Sequence, residues 1–129
     1  MPLFRSGDFR LHSGAVSKWI IDCTALTSED WDTLAVMAVE RLPSFGSVFG
    51  IPRGGLAFSK ALVAYKTQGP PLIADDVLTT GASMEDMRGR LLGALGVVVF
   101  ARGKCPDWIV PLFQMDAKEK EVVSHEPRS

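Results

Sequence analysis

Short apolar runs alternate with segments of helical spacing along most of the chain. Three runs are typical of buried strands and lie at 47–51, 71–75 and 97–101. Each of the first two is followed by a segment whose apolar residues are spaced as in a helix. This order of strand, helix and strand predicts the α/β class, with a small parallel sheet, right-handed crossovers and helices on its faces. In such sheets ligands bind at the carboxyl ends of the strands.

Three helices are predicted around these strands. The first follows Thr27, which forms a capping box with Asp30, and it ends at Pro43. The second begins at Gly54–Gly55 and runs to about residue 65. The third is predicted to begin with a second capping box at 83–86 and to continue to residue 95.

The two ends of the chain differ from its centre. Residues 1–26 alternate loosely around Gly14, which predicts a hairpin or a small appended unit. Residues 108–113 contain Pro111, which predicts an edge strand because proline cannot donate to a central ladder. The chain is interpreted as one domain, 1–115, made of an N-terminal hood segment (1–26) and an α/β core (27–115), followed by a charged and flexible tail (116–129).

Composition and charge exclude several classes of protein. The 129 residues suffice for one hydrophobic core, and the net charge of −1 offers no basic excess for a nucleic acid. Two cysteines and two histidines at distant positions do not form a zinc site or a disulfide framework. The longest apolar run is too short to cross a bilayer, and the N-terminus lacks the apolar stretch of a signal peptide. A soluble cytoplasmic protein is therefore expected.

One turn combines paired acids with hydroxyl groups. Asp75 and Asp76 end an apolar strand, and a loop rich in threonine, glycine and serine leads from them into a helix. The loop amides, the hydroxyls and the helix dipole favour a phosphate monoester. The two carboxylates suit sugar hydroxyls or a magnesium shell. Ribose 5-phosphate has this combination of groups, and the alternative is a helix cap that binds no ligand.

A second glycine-rich turn follows the first predicted strand. It carries one cation, Arg53, and two glycines, Gly54 and Gly55, ahead of a helix. The backbone amides and the guanidinium could together hold a second anion. Taken alone, a tight turn without a ligand is the better interpretation. Two such turns at one edge of a sheet favour a ligand with a phosphate at one end and a pyrophosphate at the other.

Three segments resemble the type I phosphoribosyltransferase family. Residues 72–83 resemble its motif for phosphoribosyl pyrophosphate (PRPP): an apolar strand, two acids, two apolar residues, Thr-Thr-Gly, a small residue and Ser. Residues 50–55 resemble its pyrophosphate loop. Residues 9–22 are similar to the hood of orotate phosphoribosyltransferases, with Phe-x-Leu-x-Ser-Gly followed by Ser-x-aromatic. The resemblance covers roughly residues 9–113.

The resemblance implies transfer of the 5-phosphoribosyl group of PRPP to a nitrogenous base, orotate favoured, by a homodimer that uses magnesium. Asp75 and Asp76 would be the catalytic acids beside the ribose and could take part in the magnesium shell. The 5-phosphate would be bound by Thr79, Thr80, Gly81, Ala82 and Ser83. The pyrophosphate would be bound by Arg53, Gly54 and Gly55. The base would be bound by Arg102, Ile20, Ile21, Lys18 and His12.

Several of these positions allow a simpler interpretation. Arg102 would meet the carboxylate of orotate, or it is a surface cation at the end of a strand. Ile20 and Ile21 would pack on the base, or they belong to the β core. His12 stands where the orotate pattern has lysine, and Lys18 stands where it has proline.

The largest departure from the family is the short interval 56–74. Type I phosphoribosyltransferases usually insert there a further strand and a mobile loop that closes over the site and supplies a catalytic lysine. Here one helix and one short strand fill the interval. The alternative hypothesis is therefore a lidless protein that binds PRPP or a nucleotide without transferring it. A third and weaker hypothesis is a phosphotransfer or hydrolase site that uses the two acids.

Overall fold

The computed structural model describes residues 2–10 and 16–115. The predicted tail, 116–129, and two residues of the hood, His12 and Gly14, lie outside the described residues. The six strands are β1 (Phe4–Arg10), β2 (Val16–Ile21), β3 (Val48–Gly50), β4 (Leu72–Leu78), β5 (Leu95–Arg102) and β6 (Ile109–Met115). The three α-helices are α1 (Ser28–Arg41), α2 (Leu56–Leu62) and α3 (Ala82–Arg88), and 3₁₀ turns lie at Cys23–Ala25 and Val63–Tyr65.

Strands β3 to β6 form the predicted parallel sheet, in the order β3-β4-β5-β6. The edge position of β6 is confirmed, and Pro111 lies within it. Strand β4 continues beyond the predicted end at Asp75, because Val77 and Leu78 also pair with β5. The two acids therefore lie inside the last part of a strand, where the backbone fixes their direction, and the predicted end of this strand at the acids was wrong.

Helices cover both faces of the sheet. Leu72, Ala74, Val97 and Val99 pack with α1 and α2 in one buried cluster, and this side is called the α1 face. Ile73 and Val98, one residue out of step, pack with Met84 of α3 in a second cluster, the α3 face. This alternation is what a strand buried on both sides requires. Each fully buried aliphatic side chain contributes about 1.5–3 kcal/mol to stability.

The crossovers through α2 and α3 have opposite hands. Strands β3, β4 and β5 are parallel and adjacent in that order, so both crossovers step across the sheet in the same direction. Helix α2 lies on the α1 face, whereas α3 lies on the α3 face. Two crossovers that step in the same direction across a sheet, one over each face, have opposite hands. The prediction of right-handed crossovers is therefore wrong for one of the two. The short connection 66–71 returns the chain from α2 directly to β4, with no strand between them.

The beginnings of the helices follow the sequence only in part. Helix α1 has the predicted capping box: the Asp30 amide donates to Thr27 Oγ1 (3.1 Å), and the Thr27 amide donates to Asp30 Oδ2 (2.9 Å). The second capping box, at 83–86, was wrong. Helix α3 begins at Ala82, and its N-cap is Gly81, which has no side chain to accept a bond.

The predicted N-terminal hairpin is formed by β1 and β2, which are antiparallel. An ion pair joins Arg5 of the hairpin to Asp22 at 3.0 Å. The ring of Phe4 meets Phe100 of β5 edge-on at 6.3 Å, which connects the hairpin to the α/β core. No helix in the described part of the chain is long and apolar enough to span a membrane. The homodimer and the cytoplasmic location stay predictions.

Candidate functional site

A cavity of about 370 Å³ lies at the carboxyl ends of β3, β4 and β5, where the parallel sheet predicts a ligand. It is formed by the β2 end of the hood, both predicted turns and the end of β5. Its lining residues are Ile20, Ile21, Ile51, Pro52, Arg53, Gly54, Asp75, Asp76, Val77, Thr79, Ser83 and Arg102. Nine of these twelve are among the fifteen residues predicted for the site, so chain segments far apart in sequence converge on one space.

Asp75 and Asp76 lie side by side in the wall of this cavity. The Asp76 amide donates to Asp75 Oδ1 at 2.8 Å, and the Val77 amide donates to Asp76 Oδ1 at 2.7 Å. Each carboxylate is thus oriented by the next backbone amide of β4. Burial, together with the neighbouring Asp76 carboxylate, raises the pKa of Asp75 from 3.8 to about 8. A buried pair of carboxyl groups favours ligands that bring hydroxyl donors or positive charge.

The raised pKa of Asp75 predicts that the protein loses stability as the pH rises. A group whose pKa is higher in the folded than in the unfolded chain contributes stability that is complete below the unfolded value. That contribution is lost as the pH rises through the folded value, here about 8. We therefore expect the melting temperature of Asp75→Asn to exceed that of the wild type by a margin that widens from about pH 4 to about pH 8. A margin that stays constant over this range would contradict the prediction, and the exposed Asp107→Asn is the control.

Two hydroxyl residues after β4 line the cavity: Thr79 in the loop and Ser83 in the first turn of α3. The other three predicted phosphate ligands, Thr80, Gly81 and Ala82, do not line the cavity. The Ala82 amide donates to Thr80 Oγ1 at 3.3 Å, and Gly81 is buried with a φ of +83°. This left-handed conformation suits glycine and lets the loop turn directly into α3.

The turn after β3 presents Pro52, Arg53 and Gly54 to the cavity, and the peptide bond between Pro52 and Arg53 is cis. Gly54 lies against Asp76, since a Cβ placed on it would clash with the Asp76 carboxylate. Gly55 lies outside the cavity lining, and its amide donates to the Ile51 carbonyl at 2.8 Å. The expectation that the Gly55 amide is exposed for an anion is therefore wrong, because the turn itself uses it.

Arg102 and two isoleucines form the hood end of the cavity. Arg102 is only 5% exposed, so the alternative of a surface cation is wrong. Its Nη1 donates to the Trp19 carbonyl at 3.3 Å, and burial lowers its pKa. Ile21 is both a core residue and a lining residue, and Ile20 lines the cavity while half-buried. Lys18 lies in β2, but its side chain is outside the described structure.

Two residues that contact this site were not predicted to belong to it. Trp19 lies over the Arg102 guanidinium, 3.6 Å from ring centroid to Cζ. Cys23 is buried near the acids, and burial and the charge of Asp76 raise its pKa to about 12. Its position near the acids follows from no local motif in the sequence. The sequence signal available for Trp19 was its position beside Ile20 in the hood pattern.

The interval 56–74 contains no additional strand, as its length predicted. Helix α2, a 3₁₀ turn, a short connection and the first residues of β4 fill it. Main-chain hydrogen bonds fix the connection: the Thr67 amide donates to the Phe45 carbonyl and the Gly46 amide donates to the Pro70 carbonyl, each at 2.8 Å. This segment packs beside α1 and β3 and is not part of the cavity lining.

No protein-family model matches the chain, and no curated protein is detectably similar to it in sequence. Solved structures are similar in fold. Orotate phosphoribosyltransferase from Aeropyrum pernix is 18% identical with a TM-score of 0.71, covering 96% of this chain and 94% of that one. The enzyme from Francisella tularensis is 15% identical with a TM-score of 0.59, covering 98% and 87%.

Orotate phosphoribosyltransferase from Mycobacterium tuberculosis H37Rv, in complex with Fe(III) dicitrate, is 11% identical with a TM-score of 0.61. The alignment covers 87% of this chain and 89% of that one. Sequence identities this low show a shared fold only, and substrate and activity have to be argued from the residues of the site. The chain therefore has a type I phosphoribosyltransferase fold, in the form found in these orotate phosphoribosyltransferases.

Proposed function

We propose that the protein transfers the 5-phosphoribosyl group of PRPP to a nitrogenous base, orotate favoured, with release of pyrophosphate. The observation that carries this proposal is the composition of one cavity. It brings together the hydroxyls of the loop after β4, the paired acids of β4, Arg53 of the turn after β3, and Arg102. PRPP with an acidic base carries a complementary group for each: a phosphate, vicinal hydroxyls, a pyrophosphate and a carboxylate.

The proposed reaction exchanges one bond at C1 of the ribose for another. The bond to the pyrophosphate oxygen breaks and its electron pair leaves with the pyrophosphate. The lone pair of a base nitrogen forms the new bond, and the proton of that nitrogen is lost to solvent. Asp75 and Asp76 stabilise the positive charge that develops on the sugar, and Arg53 stabilises the departing anion. Thr79 and Ser83 hold the 5-phosphate and so orient C1 toward the base.

Magnesium fits this site only together with the substrate. Among the described residues, no group of three or more acidic, histidine or cysteine side chains could hold a metal ion. One oxygen of each acid already accepts a backbone bond, which leaves Asp75 and Asp76 able to contribute to a shell completed by other oxygens. The pyrophosphate of PRPP provides such oxygens, and bound magnesium would neutralise part of its charge.

The test is pyrophosphate release from PRPP and magnesium with single bases. Orotate, uracil, hypoxanthine, xanthine, guanine and adenine are offered separately to the purified protein. We expect release with orotate, because Arg102 is the buried cation at the base end of the cavity. We also expect this release to depend on magnesium. Release with a purine alone would keep the transferase and overturn the choice of orotate.

A lidless binding protein is the second candidate function. The observation that favours it is the packed interval 56–74, which gives the cavity no covering segment from that part of the chain. Catalysts of this type exclude water by closing over the reacting atoms. Magnesium-dependent binding of PRPP without pyrophosphate release on any base would select this function over the transferase.

A further inference from the structure

The hood contacts the cavity through a stacked pair, Trp19 and Arg102. The guanidinium carbon of Arg102 lies 3.6 Å from the centre of the Trp19 ring, which is within the range of a strong cation–π contact. The same guanidinium donates from Nη1 to the Trp19 carbonyl at 3.3 Å. One residue of β2 therefore fixes both the face and one edge of the guanidinium.

This double contact determines where the positive charge lies. Arg102 ends β5, and a long flexible side chain at a strand end has many rotamers to lose when it binds an anion. Covering one face with an indole and bonding one edge to a carbonyl removes most of that freedom before a ligand arrives. Phe4 packs on Trp19 from the hairpin, with ring centroids 6.2 Å apart, and so supports the indole.

The chain offers an internal comparison for this pair. Arg88 lies over the ring of Trp108 at 4.7 Å, and neither residue lines the cavity. Trp108 also donates to Glu85 at 2.9 Å, so this second pair connects α3 to the segment before β6. Trp108 therefore packs against the α3 face and does not line the cavity. The Trp19–Arg102 pair differs because its arginine lines the cavity.

We propose that Trp19 is a positioning residue that sets the affinity for carboxylate-bearing bases by holding Arg102 in place. The inference rests on the proposed function for the identity of the ligand. Trp19 acts through Arg102, so its effect is confined to ligands with which Arg102 pairs. Binding of the phosphate and ribose depends on other residues and is unaffected by Trp19.

The experiment is a calorimetric titration with two nucleotides that need no turnover. Orotidine 5′-monophosphate and uridine 5′-monophosphate share the phosphate, ribose and pyrimidine and differ in the carboxylate. We expect Trp19→Leu to raise the Kd of orotidine 5′-monophosphate about tenfold, the effect of losing a buried cation–π contact, and to change that of uridine 5′-monophosphate less than about twofold. Trp19→Phe, which keeps an aromatic face, recovers most of the loss.

A double-mutant cycle separates positioning from folding. In an Arg102→Gln background, Trp19→Leu is expected to add no further loss for orotidine 5′-monophosphate, because the residue through which it acts is gone. A similar loss for both nucleotides, an equal loss in the Arg102→Gln background, or no loss at all overturns the inference. Trp108→Leu is the matched control, with both Kd values expected to stay at the wild-type level.

The same titration distinguishes this inference from the proposed function. If no base releases pyrophosphate but the Trp19 effect persists, the transferase fails and Trp19 positions Arg102 in a nucleotide-binding protein. If pyrophosphate is released but the wild type does not prefer the carboxylate-bearing nucleotide, the transferase stands and the inference on Trp19 falls.

Discussion

Asp75→Asn is expected to lower the turnover of pyrophosphate release by roughly 100-fold or more, the usual cost of removing one charge-stabilising group from an active site. Asp76→Asn is expected to lower it strongly, but less. Asparagine keeps the size of the side chain and removes the charge that stabilises a positive sugar. The rates are compared at about pH 9, where the Asp75 carboxyl, with its pKa raised to about 8, is ionised. The larger effect is expected for Asp75 because burial excludes water around its carboxylate, and charges act more strongly there.

The measurement is the initial rate at saturating PRPP and base, alongside far-ultraviolet circular dichroism and a thermal melt. Asp86→Asn is the matched control, since Asp86 is exposed on α3 and pairs with Arg90, two residues beyond the end of that helix. Its turnover is expected to stay within about twofold of the wild type, as for most surface changes. A folded Asp75→Asn/Asp76→Asn double variant with wild-type turnover would rule out the assignment of these acids.

Gly55→Ala is expected to destabilise the whole fold by about 2–3 kcal/mol, in the range of overpacked cores, and so to lower the melting temperature by roughly 10 °C. Gly55 is buried at the start of α2, and a Cβ there would lie 2.6 Å from the Ala74 carbonyl and 2.8 Å from the Ile51 carbonyl. Both neighbours are backbone atoms of the sheet and its first turn. They cannot move aside without breaking the contact between α2 and β4.

Gly89→Ala is the control for this prediction. Gly89 has a right-handed φ of −60°, and the nearest atom to a Cβ would be the Asp86 carbonyl at 3.4 Å. Alanine at such a position is expected to change stability by less than about 1 kcal/mol, and in the stabilising direction. Chemical denaturation of both variants measures the difference. Equal free energies of unfolding for the two would mean that the turn at Gly55 adapts.

The motifs within single turns could be predicted from sequence because their geometry is local. The acids, the hydroxyls after them and Arg53 each lie within a few residues of a strand end. A parallel sheet brings its strand ends to one edge, and nine of the predicted residues do line one cavity. The predicted capping box at Thr27 was confirmed for the same reason, since both of its partners lie within one turn.

Contacts between distant segments could not be predicted in this way. Arg102 and Trp19 are 83 positions apart, and no local pattern distinguishes a buried arginine at a strand end from an exposed one. The spacing of apolar residues also gave a wrong element where a helical pattern runs into the start of a strand. Leu95 was assigned to the third helix because it continues the spacing of Met84 and Met87, but α3 ends at Arg88 and Leu95 begins β5. Gly93, with a φ of +73°, provides the turn between them.

The opposite hands of the α2 and α3 crossovers bear on how this chain relates to longer chains of the same fold. The outer side of β3 is the edge to which the sheet can add a strand. A strand placed there would make the step through α2 run the other way across the sheet, and its hand would then match that of α3. A segment gained or lost at 66–71 therefore lengthens or shortens the protein without rerouting any other element. Large and small versions of the fold can thus be related by a single insertion or deletion.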